Sequence, residues 1–194
     1  MPDVEAKNRC PWCGTDPLYV AYHDHEWGRP ERDPARLFEL LILESFQAGL
    51  SWITILRKRA EFRAAFAGFD PSLMATWGET DIARLLSNPG IVRHRGKIEA
   101  AIRGARAFLQ IEAEQGFATF LWSFAESLPP RPRPATMRDV PAQTDQSQAM
   151  SRALKARGFN FVGPTITYAF MQASGMVNDH LATCPFGEDS RQAG

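Results

Sequence analysis

The 194 residues carry 22 basic and 22 acidic side chains, so net charge gives no reason to expect an overall basic partner-seeking surface. The length suits one sizeable core, or at most two small lobes, and no window approaches the roughly 18 consecutive apolar residues of a membrane span. Three cysteines do not make a disulfide framework and no export signal opens the chain, so reduced thiols and a cytoplasmic location are expected.

In chain order, residues 1–8 read as a flexible tail. Residues 9–27 mix Cys, Pro, Gly, aromatics and histidines without lasting periodicity, the pattern of an ordered loop region with one short helix that lines something. Residues 33–57 read as one long helix: Asp33 and Pro34 form an N-cap and first turn, and apolar residues then recur at helical spacing. Its buried face runs through Leu37, Leu40, Leu41, Glu44, Gln47, Ala48, Ser51 and Trp52. A carboxylate in an apolar stripe needs a partner, so Glu44 is either a core glutamate tied to an arginine or amide, or the anchor of a ligand.

Further helices are expected over 61–69, 70–77 and 81–86, and after the break at Asn88-Pro89-Gly90, over 96–109 and 117–124. Residues 128–143 are rich in Pro and Arg and read as a long surface connection. Helices over 144–157, ended by Gly158, and 164–174 follow, and 186–194 read as a second tail. No alternating strand pattern lasts, so the fold class is all-α, with residues 9–185 as one domain.

Three constellations carry chemistry. Cys10, Cys13 and His23 near the start, with His180 and Cys184 near the end, have the ligand types of a zinc site that would staple the termini together. The Cys10-Pro-Trp-Cys13 pair also resembles a redox motif, against which stands the lack of a βαβ pattern. The stretch 89–97 places a glycine turn between two helices among Arg93, Arg95 and Lys97; such a helix–hairpin–helix offers backbone N–H groups and positive charge to phosphate. An ordinary turn with a solvated basic face has the same composition. Trp12, Tyr19, Tyr22 and Trp27 lie in the N-terminal loop region and Trp52 two helical turns beyond Glu44 on nearly the same face, and aromatic walls about a carboxylate suit a flat, preferably cationic ligand; core packing is the alternative for each ring taken singly.

With these residues in hand, RCPW, DPLYVAYHDHEWG, LESFQAGLSWITIL, GIVRHRGKI, LKARGFNFVGPTI and VNDH resemble the 3-methyladenine DNA glycosylase I family, over most of the chain from Arg9 to Cys184. The resemblance implies a helix–hairpin–helix glycosylase that flips an alkylated purine out of DNA and cleaves its N-glycosidic bond. By motif position Glu44 is the catalytic residue at the base's polar edge, Trp12 and Trp52 stack on the base, and Tyr19, Tyr22 and Trp27 shape the pocket. Cys10, His23, His180 and Cys184 would hold structural zinc, with Cys13 and His25 near enough in sequence to substitute. Gly90, Val92, Arg93, Arg95, Gly96, Lys97 and the segment 158–163 including Gly163 would face DNA phosphates.

N3-methylation makes adenine a cationic leaving group, so recognition can replace strong acid–base help. No Asp lies between Asp81 and Asp139 to serve as a post-hairpin catalytic carboxylate, and no lysine suits a Schiff base, so a monofunctional enzyme is expected. The expected partner is double-stranded DNA with alkylated bases, bound by a monomer at the nucleoid, without membrane contact. The rival readings are an inactive hairpin DNA-binding protein, a zinc hydrolase built on His23, His25 and Glu26, and a small-molecule binder of methylated purines.

Overall fold

Helix α2 (Pro34–Gln47) is the spine against which the other elements collect. Asp33 caps it, its carboxylate accepting the Arg36 N–H at 2.9 Å, and Pro34 occupies the first turn. Seven of its apolar or small side chains, from Leu37 to Phe46, are buried along with Glu44. It packs against α3 (Trp52–Ala65), α6 (Arg95–Gln115), α7 (Phe117–Trp122) and α9 (Pro164–Ala173). Gly104 permits α6 to approach closely, because a Cβ there would lie 3.2 Å from Ile42 Cδ1 and from the Phe159 ring.

The computed structural model describes residues 8–126 and 131–187, and among them all regular secondary structure is helical. The two expected tails, apart from Asn8, Phe186 and Gly187, lie outside the described residues, as do residues 128–130 of the connection. The remaining elements are α1 (Pro17–His25), α4 (Pro71–Met74), α5 (Glu79–Ser87) and α8 (Asp145–Ala156). No helix among the described residues is long and apolar enough to cross a membrane.

The expected single helix over 33–57 is two helices. Gly49 takes φ +82°, a left-handed conformation that ends α2, and Ser51 then sits at the cap of α3 with its hydroxyl 2.8 Å from Thr54 Oγ1. Trp52 therefore opens a new helix instead of lying two turns farther along the same one. α3 runs to Ala65 and a separate 3-10 turn, Ala67–Phe69, follows with all three residues at positive φ, so the helix expected over 61–69 is divided between the two. α4 stops at Met74, earlier than expected, and α6 extends to Gln115, where Gly116 ends it.

Candidate functional site

The break after α2 shapes one wall of a cavity of about 280 Å³. Trp12, carried on the 3-10 turn Pro11–Cys13, packs edge-on against Tyr19 and Trp27 at centroid distances of 5.1 and 4.9 Å, while Tyr22 lies 5.4 Å from Trp52. These five rings and Glu44 all line the cavity, so the structure brings together every residue expected to form it.

Glu44 is buried, at 3 % exposure, yet its Oε2 has no hydrogen-bond partner among the described residues, and neither has the Trp52 Nε1–H. A core glutamate serving structure alone would show a cation or an amide on that oxygen. Each unpaired buried polar group costs about 1–3 kcal/mol, which a ligand presenting a donor to one and an acceptor to the other recovers. Burial raises the Glu44 carboxyl from its ordinary 4.5 to about 8, so it is protonated at neutral pH while the pocket is empty. Burial also pushes the Tyr22 phenol well up, with Glu44 and Glu26 adding to the effect, so that ring stays neutral.

The far wall was not anticipated from the sequence. Thr165, Tyr168 and Gln172 face the cavity from α9, and Asp179 closes it: its Oδ2 accepts from the Tyr168 hydroxyl at 2.6 Å and from Gln172 Nε2 at 2.8 Å, and the Arg131 guanidinium donates to its Oδ1. The spacing of 165, 168 and 172 is itself a helical stripe and was the available signal. Gln47 joins from the end of α2, and Met137, Val140, Pro141 and Ala142 also line the cavity. Residues 137–142 of the connection, with Arg131 holding Asp179, therefore contribute to the site and are not only a surface connection.

Beside the pocket, Cys10, His23, His180 and Cys184 place one ligand atom each within 4.8 Å of one another, all buried. Cys184 Sγ lies 3.6 Å from His23 Nε2 and 3.5 Å from His180 Nδ1, and Cys10 Sγ lies 3.7 Å from His180 Nδ1. Tetrahedral coordination with metal–sulfur near 2.3 Å and metal–nitrogen near 2.1 Å implies sulfur–nitrogen separations of about 3.6 Å. The donor set thus fits a metal ion. The second ring nitrogens are committed elsewhere, His23 Nδ1 to Asp24 at 2.7 Å and His180 Nε2 to the Trp27 carbonyl at 3.2 Å, the usual support of ligating imidazoles. A hydrogen bond from Cys10, with further ones from His180 and His23, holds the Cys184 thiol far below its ordinary value, the direction a metal-binding thiolate needs. Cys13 is not in the cluster: its thiol donates to the Cys10 carbonyl at 3.1 Å, and His25 is exposed.

The hairpin between α5 and α6 is present, with the Gly90 N–H bonded to Asn88 Oδ1 at 2.8 Å; a side chain at Gly90 would meet Glu61 Oε2 at 2.9 Å. His94 caps α6, its Nδ1 accepting from the Lys97 N–H. Its basic residues differ in what they have free. Arg93 is exposed and without an ion-pair partner among the described residues. Arg95 is exposed but engaged by Glu79 at 2.6 Å and Glu99 at 2.9 Å. Lys97 departs from the expected outward role altogether: it is buried, its Nζ donating to the carbonyls of Phe46 at 2.8 Å and Ala48 at 2.6 Å. Charge density in the sequence does not reveal which face of α6 a lysine occupies. Gly163 caps α9, and a Cβ there would meet nothing within 4 Å, leaving the backbone open to an approaching partner.

An aromatic pocket with an unpaired carboxyl and an unpaired indole N–H, set beside a helix–hairpin–helix, defines a helical protein that receives a flat, polar heterocycle. The family model described as methyladenine glycosylase matches residues 12–188, and the chain belongs to that family. It is 53% identical over 177 residues to DNA-3-methyladenine glycosylase 1 of Escherichia coli K12, covering 91% of this chain and 95% of the relative. It is 48% identical over 178 residues to the DNA-3-methyladenine glycosylase of Haemophilus influenzae, covering 91% and 96%. A crystal structure of a 3-methyladenine DNA glycosylase I variant in complex with 3-methyladenine superposes with a TM-score of 0.88 at 40% identity, covering 93% of this chain and 97% of that one.

Proposed function

We infer that this chain is a DNA-3-methyladenine glycosylase of base-excision repair, taking 3-methyladenine from alkylated duplex DNA by hydrolysis of its N-glycosidic bond. The observation that carries the reading is the buried Glu44 Oε2 facing the same aromatic cavity as Trp52 Nε1, both unpaired.

Methylation at N3 leaves a delocalised positive charge on the attached base. Trp12 and Trp52 offer ring faces to such a cation, and Glu44, giving its proton to solvent as the cationic base arrives, supplies the opposite charge. Departure of the base takes the electron pair of the N9–C1′ bond onto the base and neutralises it, so the leaving group needs no proton. A water oxygen then bonds to C1′ and gives up a proton. Little general acid help is required, and the pocket's contribution is to select the base and hold it out of the stack. No lysine lines the cavity among the described residues, which supports hydrolysis without a Schiff base; borohydride trapping of an enzyme–DNA adduct would overturn that.

Four buried Cys and His donors with committed second nitrogens suit zinc in a closed structural site, joining the chain's two ends and supplying folding energy. Duplex DNA approaches along Gly90, Val92, Arg93 and the segment around Gly163, with Arg93 a hairpin cation that has no ion-pair partner among the described residues. Residues 9–185 act as one glycosylase domain, as a monomer, in the cytoplasm where it meets the genome. The test is to incubate the protein with methylated duplex DNA and chromatograph the released bases, comparing wild type with Glu44→Gln. Release of 3-methyladenine with little 7-methylguanine, slowed in the variant, is expected; no release from folded, metal-loaded protein would move the reading to an inactive DNA-binding protein.

A further inference from the structure

Lys97 is 5 % exposed, and no carboxylate lies within ion-pair distance of its ammonium among the described residues. Burial lowers its pKa. Its two short hydrogen bonds go to carbonyls at the end of α2, Phe46 and Ala48, which would otherwise lack partners where that helix breaks. Phe161 covers the other side, its ring centroid 5.8 Å from Nζ. That phenylalanine is itself held in the left-handed region at φ +57°, uncommon for a bulky residue, and is 37 % exposed beside His94.

A second lysine makes the reciprocal connection. Lys58, on α3, donates from Nζ to the carbonyls of Pro89 at 3.0 Å and Gly90 at 3.1 Å, which belong to the hairpin. The segment these lysines bracket, residues 47–52, supplies Gln47 and Trp52 to the pocket and leaves Leu50 42 % exposed at its apex. The lysine that follows the hairpin therefore grips the pocket turn, and a lysine that follows the pocket turn grips the hairpin.

We propose that Lys97 and Lys58 form a cross-tie that makes the hairpin and the 47–52 turn one rigid body, so that Lys97 is a positioning residue for base extrusion and not a phosphate ligand. The inference rests on the reading that hairpin and turn both face DNA. Extruding a base from the stack means breaking its pairing and stacking. That work is done only if the part gripping the backbone cannot shift relative to the part receiving the base, and a displacement of about 1 Å is enough to cost about a hundredfold in rate.

The test uses the full-length, metal-loaded protein and the variants Lys97→Met, Lys97→Arg, Lys58→Met and Arg93→Gln. Undamaged-duplex affinity is read by fluorescence anisotropy, free 3-methyladenine affinity by tryptophan quenching, and single-turnover excision from a lesion that is paired or placed in single-stranded DNA. Lys97→Met is expected to bind undamaged duplex and free base within about threefold of wild type, yet to excise the paired lesion at least about tenfold more slowly, with the defect shrinking to less than about threefold in single-stranded DNA. Lys97→Arg, which keeps donors for both carbonyls, is expected to regain most of the rate. Lys58→Met, at a half-exposed position, is expected to show the same pattern more weakly and carries the test should Lys97→Met not fold. An equal defect on paired and unpaired lesions would overturn the proposal, as would duplex binding weakened about tenfold by Lys97→Met, the mark of a phosphate ligand. Unchanged duplex affinity in Arg93→Gln would instead overturn the DNA-facing assignment of the hairpin, and the cross-tie with it.

Discussion

The Cys/His cluster that could hold a metal and the pocket are neighbours: Trp12 follows Cys10 by two residues, and the carbonyl of the pocket residue Trp27 meets His180. They are built on opposite rules. In the cluster every group has its place, since each imidazole uses one nitrogen inward and commits the other to Asp24 or to a carbonyl, and the Leu181 N–H supports Cys10 Sγ at 3.4 Å. In the pocket an acceptor and a donor are buried and left open. Groups that are all committed stabilise the fold, whereas an unfilled pair costs stability until a ligand enters, and this contrast separates the two sites.

The contrast can be broken most forcefully on the metal side. Chelation, or Cys184→Ala, is expected to unfold the protein, because structural zinc sites carry about 10–16 kcal/mol of apparent binding energy, whereas Cys13→Ala should retain full metal content by elemental analysis. Loss of metal only in the Cys13 variant would reverse the ligand assignment. Asp24→Asn, which weakens the support of His23, is expected to lower metal affinity by about 10–100-fold in a competition titration while the protein still folds when metal is in excess.

On the pocket side, Trp52→Ala is expected to weaken binding of free 3-methyladenine by about 1–3 kcal/mol, the range for loss of one stacking partner, measured by calorimetry. Glu44→Gln should reveal the opposite sign in stability. Below pH 4.5 the carboxyl is protonated folded or unfolded; between 4.5 and about 8 the unfolded chain sheds the proton that the folded one retains, so wild-type stability falls as pH rises through that window. The melting temperature of the variant relative to wild type should therefore increase from pH 5 to pH 8, and a constant difference would mean that Glu44 has an ordinary pKa. The smallest effect is expected at the hairpin. Arg93→Gln should reduce the salt dependence of duplex binding by about one counterion, and Arg95→Gln by less, because Glu79 and Glu99 already neutralise it.

Much of this was legible in the sequence. Asp33-Pro34 marked the start of α2, the odd carboxylate at Glu44 marked the pocket, and Asn88-Pro89-Gly90 marked the hairpin, because caps, periodicity and turn residues act locally. What escaped depends on contacts distant in the chain. Helical spacing alone carries through 47–52, although Gly49 and Ser51 are local stop and cap residues there, and the helix ends because Gly49 adopts a left-handed conformation while Lys97, about fifty residues on, satisfies the freed carbonyls. Asp179 and Tyr168 reach the pocket only once α9 packs on α2. A lysine's direction, inward for Lys97, is set by such packing and not by local composition.

The most direct test of the central claim is a titration of free 3-methyladenine into wild type and Glu44→Gln, following tryptophan fluorescence and proton release together. The account predicts saturable quenching in wild type, with the proton that Glu44 gives up at pH 7 passing to the neutral free base so that little is released to solvent, and affinity at least about tenfold lower in the variant, the loss of one charge-assisted hydrogen bond. Equal affinity in the two proteins would contradict it, because Glu44 would then be a buried carboxyl that no ligand uses.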